Sequence, residues 1–393
     1  MANQTSAKNP FLKYLEDNHY EIFASAICNF VKNHPNSISD KLKNIVEIDD
    51  ITPEELDFKM CWIEDSDSLD IKFEVAIAVN LTIEGYSSRV SESENVFKWW
   101  LVGAEGNLEK KFQNLQITYV DEYNQKSKPS KPLSSELVPI IKANEYEKYA
   151  TDILNKYYPE ALKNAIAPDM NVLVEALGLK LAHHGITQDS SIFGQAYFAD
   201  TETELYSIKD SCYVKKNVTK NTIIVDTRAN SLYSLGCEKM TIAHECIHFI
   251  LHKKAFEFAR LYEKADLRRV QCLVKGGIKD ISDTSSTAWM ETQANGIAPY
   301  LVMPTSSLEY RFNELVKNYE SIDKKFVLLD RIEDIIYQLS EFFHVTKSAV
   351  RKRLVDIGVY EAAGTHVFVD GHYVKPFKMP KEALENKQTY TIS

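Results

Sequence analysis

One short stretch, Met240 to His252, constrains this chain more than any other, because it reads as a helix that carries His-Glu-Cys-Ile-His. On an α-helix, residues four apart lie on one face about 6 Å from each other, so His244 and His248 can direct two ring nitrogens at one tetrahedral ion. Glu245 lies beside them, where a carboxylate can accept a proton from water and pass it to a leaving amine. The competing interpretation is a core helix whose two histidines are satisfied by hydrogen bonds.

A metal site of this kind needs a third protein ligand. The longer HExxHxxGxxH pattern is excluded, because Leu251 and Lys254 stand where that pattern has its glycine and its third histidine. His252 lies eight residues after His244, about 12 Å along a helix axis, which is too far to share one ion. His252 is better suited to contact a ligand side chain without touching the ion, or to lie at the surface. The third ligand is expected to be a carboxylate from another helix.

The stretch 284–304 predicts such a helix, with threonines and serines as candidate N-caps and a face of small residues. Glu291 is on that face and completes a His₂Glu set of ligands for Zn²⁺. Asn295, one turn further, is placed to orient a ligand imidazole without contacting the ion itself. The competing interpretation is a solvated glutamate and an ordinary asparagine near the end of a helix.

The two helices together resemble the ImmA/IrrE family of zinc metallo-endopeptidases, whose pattern is HExxH followed by E-x-x-A-N/D-x-F-A-x-x-L-L-M-P. The similarity covers about residues 169–358 and includes Glu-Thr-Gln-Ala-Asn and the final Leu-Val-Met-Pro. The resemblance implies zinc ligands at His244, His248 and Glu291, and a catalytic acid/base at Glu245. It also implies a zincin-like fold and a narrow protein substrate, typically a DNA-binding repressor or another regulator.

The chain departs from the family pattern at positions that are not ligands. Ile247 stands where the family usually has glycine, and Ile297-Ala298 stands where it has Phe-Ala. Pro299 falls inside the second helix and is expected to kink it or end it one turn past Asn295.

An insertion separates the two helices, since Glu291 follows His248 by 43 positions. Residues 256–274 of this insertion are expected to form a surface helical excursion, or alternatively a lid or a wall of the substrate site.

The first 123 residues predict a separate α+β domain with an antiparallel sheet. Residues 10–34 have the spacing of an amphipathic helix. Apolar and polar residues then alternate in four stretches, which predicts a meander of strands at 56–62, 69–83, 96–102 and 115–120. The second stretch is expected to bend or bulge near Ala76 and Ala78, and Trp99 and Trp100 read as core or interface aromatic residues.

The remaining chain predicts a linker at 124–138, a metallopeptidase domain at 139–325 and a helix-turn-helix-like segment with a hairpin and tail at 326–393. Strands at 179–182, 192–199 and 222–225 are expected to form a small sheet against the HExxH helix. The fold class is therefore α+β: an antiparallel-sheet domain followed by a mainly helical zincin-like domain. His183 and His184 are adjacent on a strand and point to opposite faces, so one ion cannot use both.

The segment after residue 326 also permits a DNA-binding interpretation. A helix, a turn, a second helix and a hairpin at 365–374 follow the order of a winged DNA reader. Its second helix carries four basic residues: Lys347, Arg351, Lys352 and Arg353. Against this stands the formal net charge of −10, which disfavours a general binder of nucleic acids or acidic membranes.

The six cysteines are scattered without a CxxC pair, which is typical of reduced thiols in the cytosol. No apolar run reaches the length of a membrane span, and the first residues do not resemble a secretory signal. The sequence therefore predicts a cytoplasmic zinc-dependent endopeptidase that acts on a specific regulatory protein such as a repressor. The alternative is a non-catalytic regulatory protein with a winged-helix-like segment that binds DNA or protein.

Overall fold

The computed structural model of this chain describes residues 9–66, 68–87, 90–124, 129–232, 236–262, 269–273, 286–322, 328–357, 367–369 and 372–374. The chain divides into two compact units. Unit 1 consists of residues 1–140 and 251–267, and unit 2 consists of residues 141–250 and 268–393. The finer domain boundaries given above stay predictions.

The helices are numbered in chain order: α1 Pro10–Asn33, α2 Tyr146–Tyr157, α3 Glu160–Lys163, α4 Met170–Ala176, α5 Ala229–Leu232, α6 Cys237–Ile247, α7 Lys253–Tyr262, α8 Ser286–Val302, α9 Thr305–Ile322, α10 Leu328–Phe343 and α11 Lys347–Asp356. The strands are β1 Glu47–Glu64, β2 Asp70–Ser87, β3 Val90–Asn107, β4 Gln116–Glu122, β5 Pro132–Leu133, β6 Lys180–His184, β7 Ile192–Tyr197, β8 Thr201–Ser207, β9 Cys212–Val218, β10 Thr222–Asp226, β11 Arg269–Leu273, β12 Val367–Val369 and β13 His372–Val374. The α+β class is confirmed. Within the described residues, no helix has both the length and the apolar content needed to cross a membrane.

Unit 1 is built on a five-stranded antiparallel sheet in the order β4-β3-β2-β1-β5, so the predicted meander is confirmed. Its strands are longer than the stretches of alternating apolar and polar residues from which they were predicted. The predicted irregularity lies in β1 instead of β2, because the register between these strands shifts between Phe58 and Met60. Strand β2 is the central strand and pairs with β3 without a register shift. The residue inserted at the irregularity therefore belongs to β1, which is nearer the edge of the sheet.

Helix α1 covers one face of this sheet with a continuous aromatic and aliphatic core. The ring centroids of Phe11 and Phe73 are 5.0 Å apart, in an edge-to-face arrangement that favours packing. Trp100 is fully buried in this core, as its interpretation as a core residue requires. Trp99 alternates to the other side, where its ring contacts Tyr123.

The insertion contributes a core element instead of a surface excursion. Phe258 of α7 is 1% exposed and belongs to the core of unit 1. Its ring centroid is 5.6 Å from that of Phe11. Lys254, at the start of the same helix, forms a hydrogen-bonded ion pair with Asp65 in the turn between β1 and β2. The strong amphipathic pattern of this helix is therefore satisfied within unit 1.

Unit 2 contains a four-stranded sheet in the order β11-β7-β10-β6 and a separate hairpin of β8 and β9. Strands β10 and β6 are parallel, whereas β7 runs antiparallel to both of its neighbours. The three strands expected from the sequence are confirmed, and β8, β9 and β11 were not predicted. Helix α6 packs on β7 and β10, as expected for the HExxH helix.

Helices α4, α5 and α8 of unit 2 pack against α6. Helix α8 packs against α6 and α2. It continues through Pro299 to Val302, so this proline does not end the helix, and the alternative expectation of a kink stays a prediction. Leu301 and Val302 are fully buried, and their packing holds the last turn although one backbone hydrogen bond is missing. Strands β12 and β13 pair as the predicted C-terminal hairpin, whose turn at 370–371 lies outside the described residues.

Candidate metal centre

The HExxH stretch begins as helix α6, whose N-cap Gly236 has a left-handed φ of 88°. A Cβ at Gly236 would lie 2.0 Å from the carbonyl oxygen of His344, so only glycine permits this close approach. After Ile247 the helix changes to a π-helical segment, His248–His252, and then continues as α7. Such π segments inside α-helices are frequent at functional sites.

Three side chains of unit 2 converge on one point. The Nε2 atoms of His244 and His248 are 3.0 Å apart. The carboxylate of Glu291 lies 3.2 Å from each of them, Oε2 from His244 and Oε1 from His248. The potential ligand atoms all lie within 4.8 Å of one another, so this group could hold a metal ion. The second helix required by the sequence argument is α8, and it brings Glu291 to this position.

The electrostatics of the three residues suit metal binding. His244 and His248 are 2% and 0% exposed. Burial lowers the pKa of His248, and this effect outweighs the hydrogen bond to Glu291, which acts in the opposite direction. Burial alone would raise the pKa of Glu291, but hydrogen bonds to the two histidines outweigh this and keep it well below its usual range. Neutral imidazoles and an ionised carboxylate are the protonation states that a metal requires of its ligands.

Glu245, the expected acid/base, is fully buried between α6 and the sheet. A Cβ built on Gly194 of β7 would lie 2.7 Å from Glu245 Oε1 and 2.5 Å from the methyl carbon of Thr241. Gly194 therefore provides the space that the carboxylate occupies. Sequence reasoning missed this residue, although an isolated glycine inside a strand pattern is a known signal of close approach.

The other histidines and the cysteine near the motif are not part of this group. His252 is fully buried, so its surface interpretation is wrong. Cys246 is buried as expected, and burial raises the pKa of its thiol. His183 contacts Glu238 at 2.7 Å, while His184 lies 3.3 Å from Lys216 Nζ, so the two adjacent histidines have different partners.

Asn295 lies one turn beyond Glu291 on α8, and its side chain is exposed. Its suggested role in orienting a ligand imidazole stays a prediction.

The basic helix α11 does not present its arginines to solvent. Arg353 is 0% exposed and donates hydrogen bonds to the Met303 carbonyl and to Thr305. Arg351 is 7% exposed and donates to Glu333. Two of the four basic side chains that suggested a DNA reader are therefore engaged inside unit 2, which weakens that interpretation.

Comparison with known proteins found a family model that matches the region of the site. Residues 227–355 match the model of peptidase family M78, described as an IrrE N-terminal-like domain. The matched range is about a third of the chain and contains Glu245 and all three possible ligands. No curated protein and no solved structure matches the chain. The match supports a peptidase-like function, and the resemblance of the sequence to the ImmA/IrrE family is confirmed over residues 227–355.

Proposed function

We propose that this protein is a zinc-dependent endopeptidase. The observation that carries the proposal is the convergence of His244, His248 and Glu291, with 3.0 to 3.2 Å between the nearest ligand atoms. Ligand atoms held at about 2.0–2.1 Å from a tetrahedral Zn²⁺ stand roughly 3.3 Å apart. Two imidazoles and one carboxylate are also the donor set of many catalytic zinc sites, in which a fourth position stays open.

The proposed mechanism assigns a separate task to each residue. His244, His248 and Glu291 would hold the ion, which when bound polarises a peptide carbonyl and lowers the pKa of water to about 7. Glu245 follows His244 directly and is buried at the wall of the site. Its carboxylate would accept a proton from the attacking water and deliver it to the leaving amine. No covalent bond forms between the protein and the substrate in this scheme.

We further propose that the substrate is a specific regulatory protein, such as a transcriptional repressor, and that unit 1 recognises it or senses a signal. This rests on the resemblance to the ImmA/IrrE family. A cytosolic location is proposed because the cysteines whose side chains are described, at positions 28, 61, 212, 237 and 246, are all free thiols.

The metal assignment is tested by elemental analysis of the purified protein. We expect about one zinc per chain, strongly reduced in His244→Ala and Glu291→Ala. His183→Ala is the matched control, because it removes a partly exposed histidine that contacts Glu238 instead of the site. A wild-type protein purified without chelator that contains no zinc would overturn the assignment.

The catalytic assignment is tested by Glu245→Gln, which keeps the shape of the side chain and removes its basicity. We expect this variant to retain zinc and to lose hydrolysis of a quenched fluorescent casein by a factor on the order of 10² to 10⁴. Hydrolysis at the wild-type rate would contradict the role of Glu245. Bound zinc in a wild type that hydrolyses neither casein nor any protein of the cells that produce it would instead favour a non-catalytic regulatory protein.

The substrate is sought by comparing cells that produce the wild type with cells that produce Glu245→Gln. Mass spectrometry of newly formed protein N-termini should show one or a few cleavage sites only in the wild-type cells. A broad set of sites in abundant proteins would contradict a narrow substrate range, without contradicting the peptidase activity.

A further inference from the structure

Strand β7 forms a wall of the proposed active site. Its residue Gly194 lies directly against Glu245 and Thr241 of α6, so closely that a single added carbon would overlap both side chains. Glu245 is in turn adjacent to His244, one of the three residues that converge on the metal position. A polypeptide that runs alongside β7 at Gly194 therefore passes beside the residues that would perform the reaction.

Strand β11 occupies this place. It comes from the insertion between the two metal-binding helices and pairs antiparallel with β7 as the outermost strand of the four-stranded sheet. In the register of the pair, Gln271 is opposite Gln195 and Cys272 is opposite Gly194. The other neighbour of β7 is β10, so both edges of β7 are taken by strands of this chain.

A peptide substrate in extended conformation is commonly held by backbone hydrogen bonds to an exposed strand edge. The N–H and C=O groups of a strand edge cannot serve two partners at the same position. The edge of β7 beside Glu245 can therefore bind either β11 or a substrate, but not both.

Resting on the proposed peptidase function, we propose that β11 is an internal competitor that occupies the substrate edge of β7. The structure then shows a self-blocked form, and hydrolysis requires β11 to leave β7. The ligand that replaces β11 is an extended polypeptide segment, bound antiparallel to β7.

The pairing has the features of a strand that can be displaced. It spans only five residues, Arg269–Leu273, at the edge of the sheet. The register shifts between Cys272 and Leu273, where β7 skips Phe193. Register shifts of this kind are common at sheet edges and next to active sites. The register of the ladder therefore shifts directly beside Gly194.

The first experiment replaces Arg269–Leu273 with Gly-Ser-Gly-Ser-Gly, which keeps the chain length and lowers the tendency to form a strand. The probe is a fluorescein-labelled peptide with the sequence of residues 267–275, in which serine replaces the cysteine so that no thiol can bind zinc. Measured by fluorescence anisotropy on the zinc-loaded protein, binding is expected to be about tenfold tighter or more than to the wild type. Equal binding to both proteins would overturn the proposal.

The matched control is the same five-residue replacement in Cys212–Lys216 of β9. This strand pairs with β8 and is not part of the four-stranded sheet. Its replacement is expected to leave peptide binding at the wild-type level. A similar gain in this control would mean that loosening unit 2 anywhere exposes a binding surface, which contradicts a specific role of β11.

A second variant gives an independent test without weakening the strand. Gln195→Cys with Gln271→Cys places two thiols at directly opposed positions, where strand geometry matches the spacing of a disulfide. Oxidation is expected to abolish the residual binding of the peptide and the hydrolysis of casein, and a reductant is expected to restore both. Unchanged binding and hydrolysis in the oxidised form would overturn the proposal.

The two hypotheses fail in different ways. Tighter peptide binding after β11 is replaced, with no hydrolysis by any variant, would contradict the peptidase function and support the occupied edge. Hydrolysis by the wild type, with no effect of the replacement or of the disulfide, would support the peptidase function and contradict the role of β11.

Discussion

Single residues at the metal centre owe their properties to burial more than to their identity. Helix α6 carries two glutamates, and their surroundings differ. Glu238 in the first turn is partly exposed and contacts His183 at 2.7 Å. Glu245 is fully buried against Gly194 and Thr241. A carboxylate enclosed in this way is a better candidate for proton transfer, because its position is set by the atoms around it.

Gly194→Ala tests this enclosure directly. The added methyl group would overlap Glu245 Oε1 and the methyl carbon of Thr241, so one or both must move. We expect the free energy of unfolding to fall by about 1–3 kcal/mol. Hydrolysis should fall on the order of a hundredfold while zinc content stays near the wild-type value. Urea denaturation, casein hydrolysis and elemental analysis measure the three quantities, and unchanged hydrolysis would contradict the wall formed by Gly194.

The control is Thr241→Ser in the Gly194→Ala background. Serine keeps the hydroxyl that donates to the Cys237 carbonyl and removes the methyl carbon that the new side chain would meet. This second change should recover part of the lost stability, on the order of 1 kcal/mol, if overlap is the cause. Hydrolysis should recover less, since the overlap with Glu245 remains.

Lys239 gives a prediction about pH. Burial lowers its pKa to about 8, an effect that the nearby Asp169 carboxylate partly opposes. The unfolded chain keeps this proton up to about pH 10.5. Between these values the unfolded state binds more protons than the folded state, so stability rises with pH. Burying the charge is fully unfavourable below pH 8, and this cost disappears as the pH approaches 10.5.

We therefore expect the wild type to gain stability relative to Lys239→Met between pH 8 and pH 10.5, on the order of 1–3 kcal/mol. Urea denaturation of both proteins at several pH values in this range measures the difference. Lys352→Met, which removes an exposed lysine from α11, is the control and should show no such trend. A constant difference between wild type and Lys239→Met would contradict the burial of the charge.

At the scale of elements, helix α11 is attached to the body of unit 2 by its arginines. The guanidinium of Arg353 lies 3.8 Å from the ring centroid of Tyr300 on α8. Its hydrogen bonds reach the Met303 carbonyl and Thr305, at the junction of α8 and α9. Near the opposite end of α8 lies Glu291, so α11 braces the helix that supplies the third ligand. The basic character of α11 is in this respect a packing feature.

Arg353→Met should destabilise unit 2 by about 2–4 kcal/mol, because it removes two hydrogen bonds and a cation–π contact and leaves a carbonyl buried. Thermal or urea unfolding measures this loss. The neighbouring exposed residue provides the control, and Lys352→Met should change stability by less than about 0.5 kcal/mol. If α11 instead read DNA through its arginines, Arg353→Met would leave stability unchanged and weaken binding to DNA.

At the scale of the whole molecule, the chain divides so that the metal centre belongs to unit 2 alone. A ligand that binds only the folded state stabilises it by mass action, by about 4 kcal/mol at a thousand times its dissociation constant. Zinc should therefore stabilise unit 2 against unfolding. It should stabilise unit 1 only to the extent that the two units unfold together.

Hydrogen exchange measured by mass spectrometry tests this division. Adding zinc to protein treated with a chelator should slow the exchange of backbone amides in α6 and α8. Amides of β2 and β3 in unit 1 should exchange at the same rate with and without zinc. Glu291→Ala is the control and should lose the protection of α6. Equal protection of both units would show that they fold as one cooperative body.

The sequence by itself determined those features of the metal centre and of the fold that depend on the spacing of nearby residues. Two histidines four apart, with a glutamate between them, define half of the centre on any helix. Strict alternation of apolar and polar residues likewise predicted the antiparallel sheet of unit 1. Glu291 was identified because the family resemblance and the small-residue face of its helix agreed. These features could be predicted because the spacing of residues along a helix or strand, and their chemistry, can be identified from nearby positions in the sequence.

Only the tertiary structure decided the features that depend on distant contacts. Helix α7 overlaps the stretch that the sequence predicted as a surface excursion, but Phe258 packs on the core around Phe11, more than 200 positions away. The arginines of α11 suggested a DNA reader in the sequence, but both are buried, Arg353 at the junction of α8 and α9 and Arg351 beside Glu333 of α10. Gly194 and the pairing of β11 with β7 likewise became visible only in three dimensions. A sequence shows which face of an element must be covered, whereas the folded chain decides what covers it.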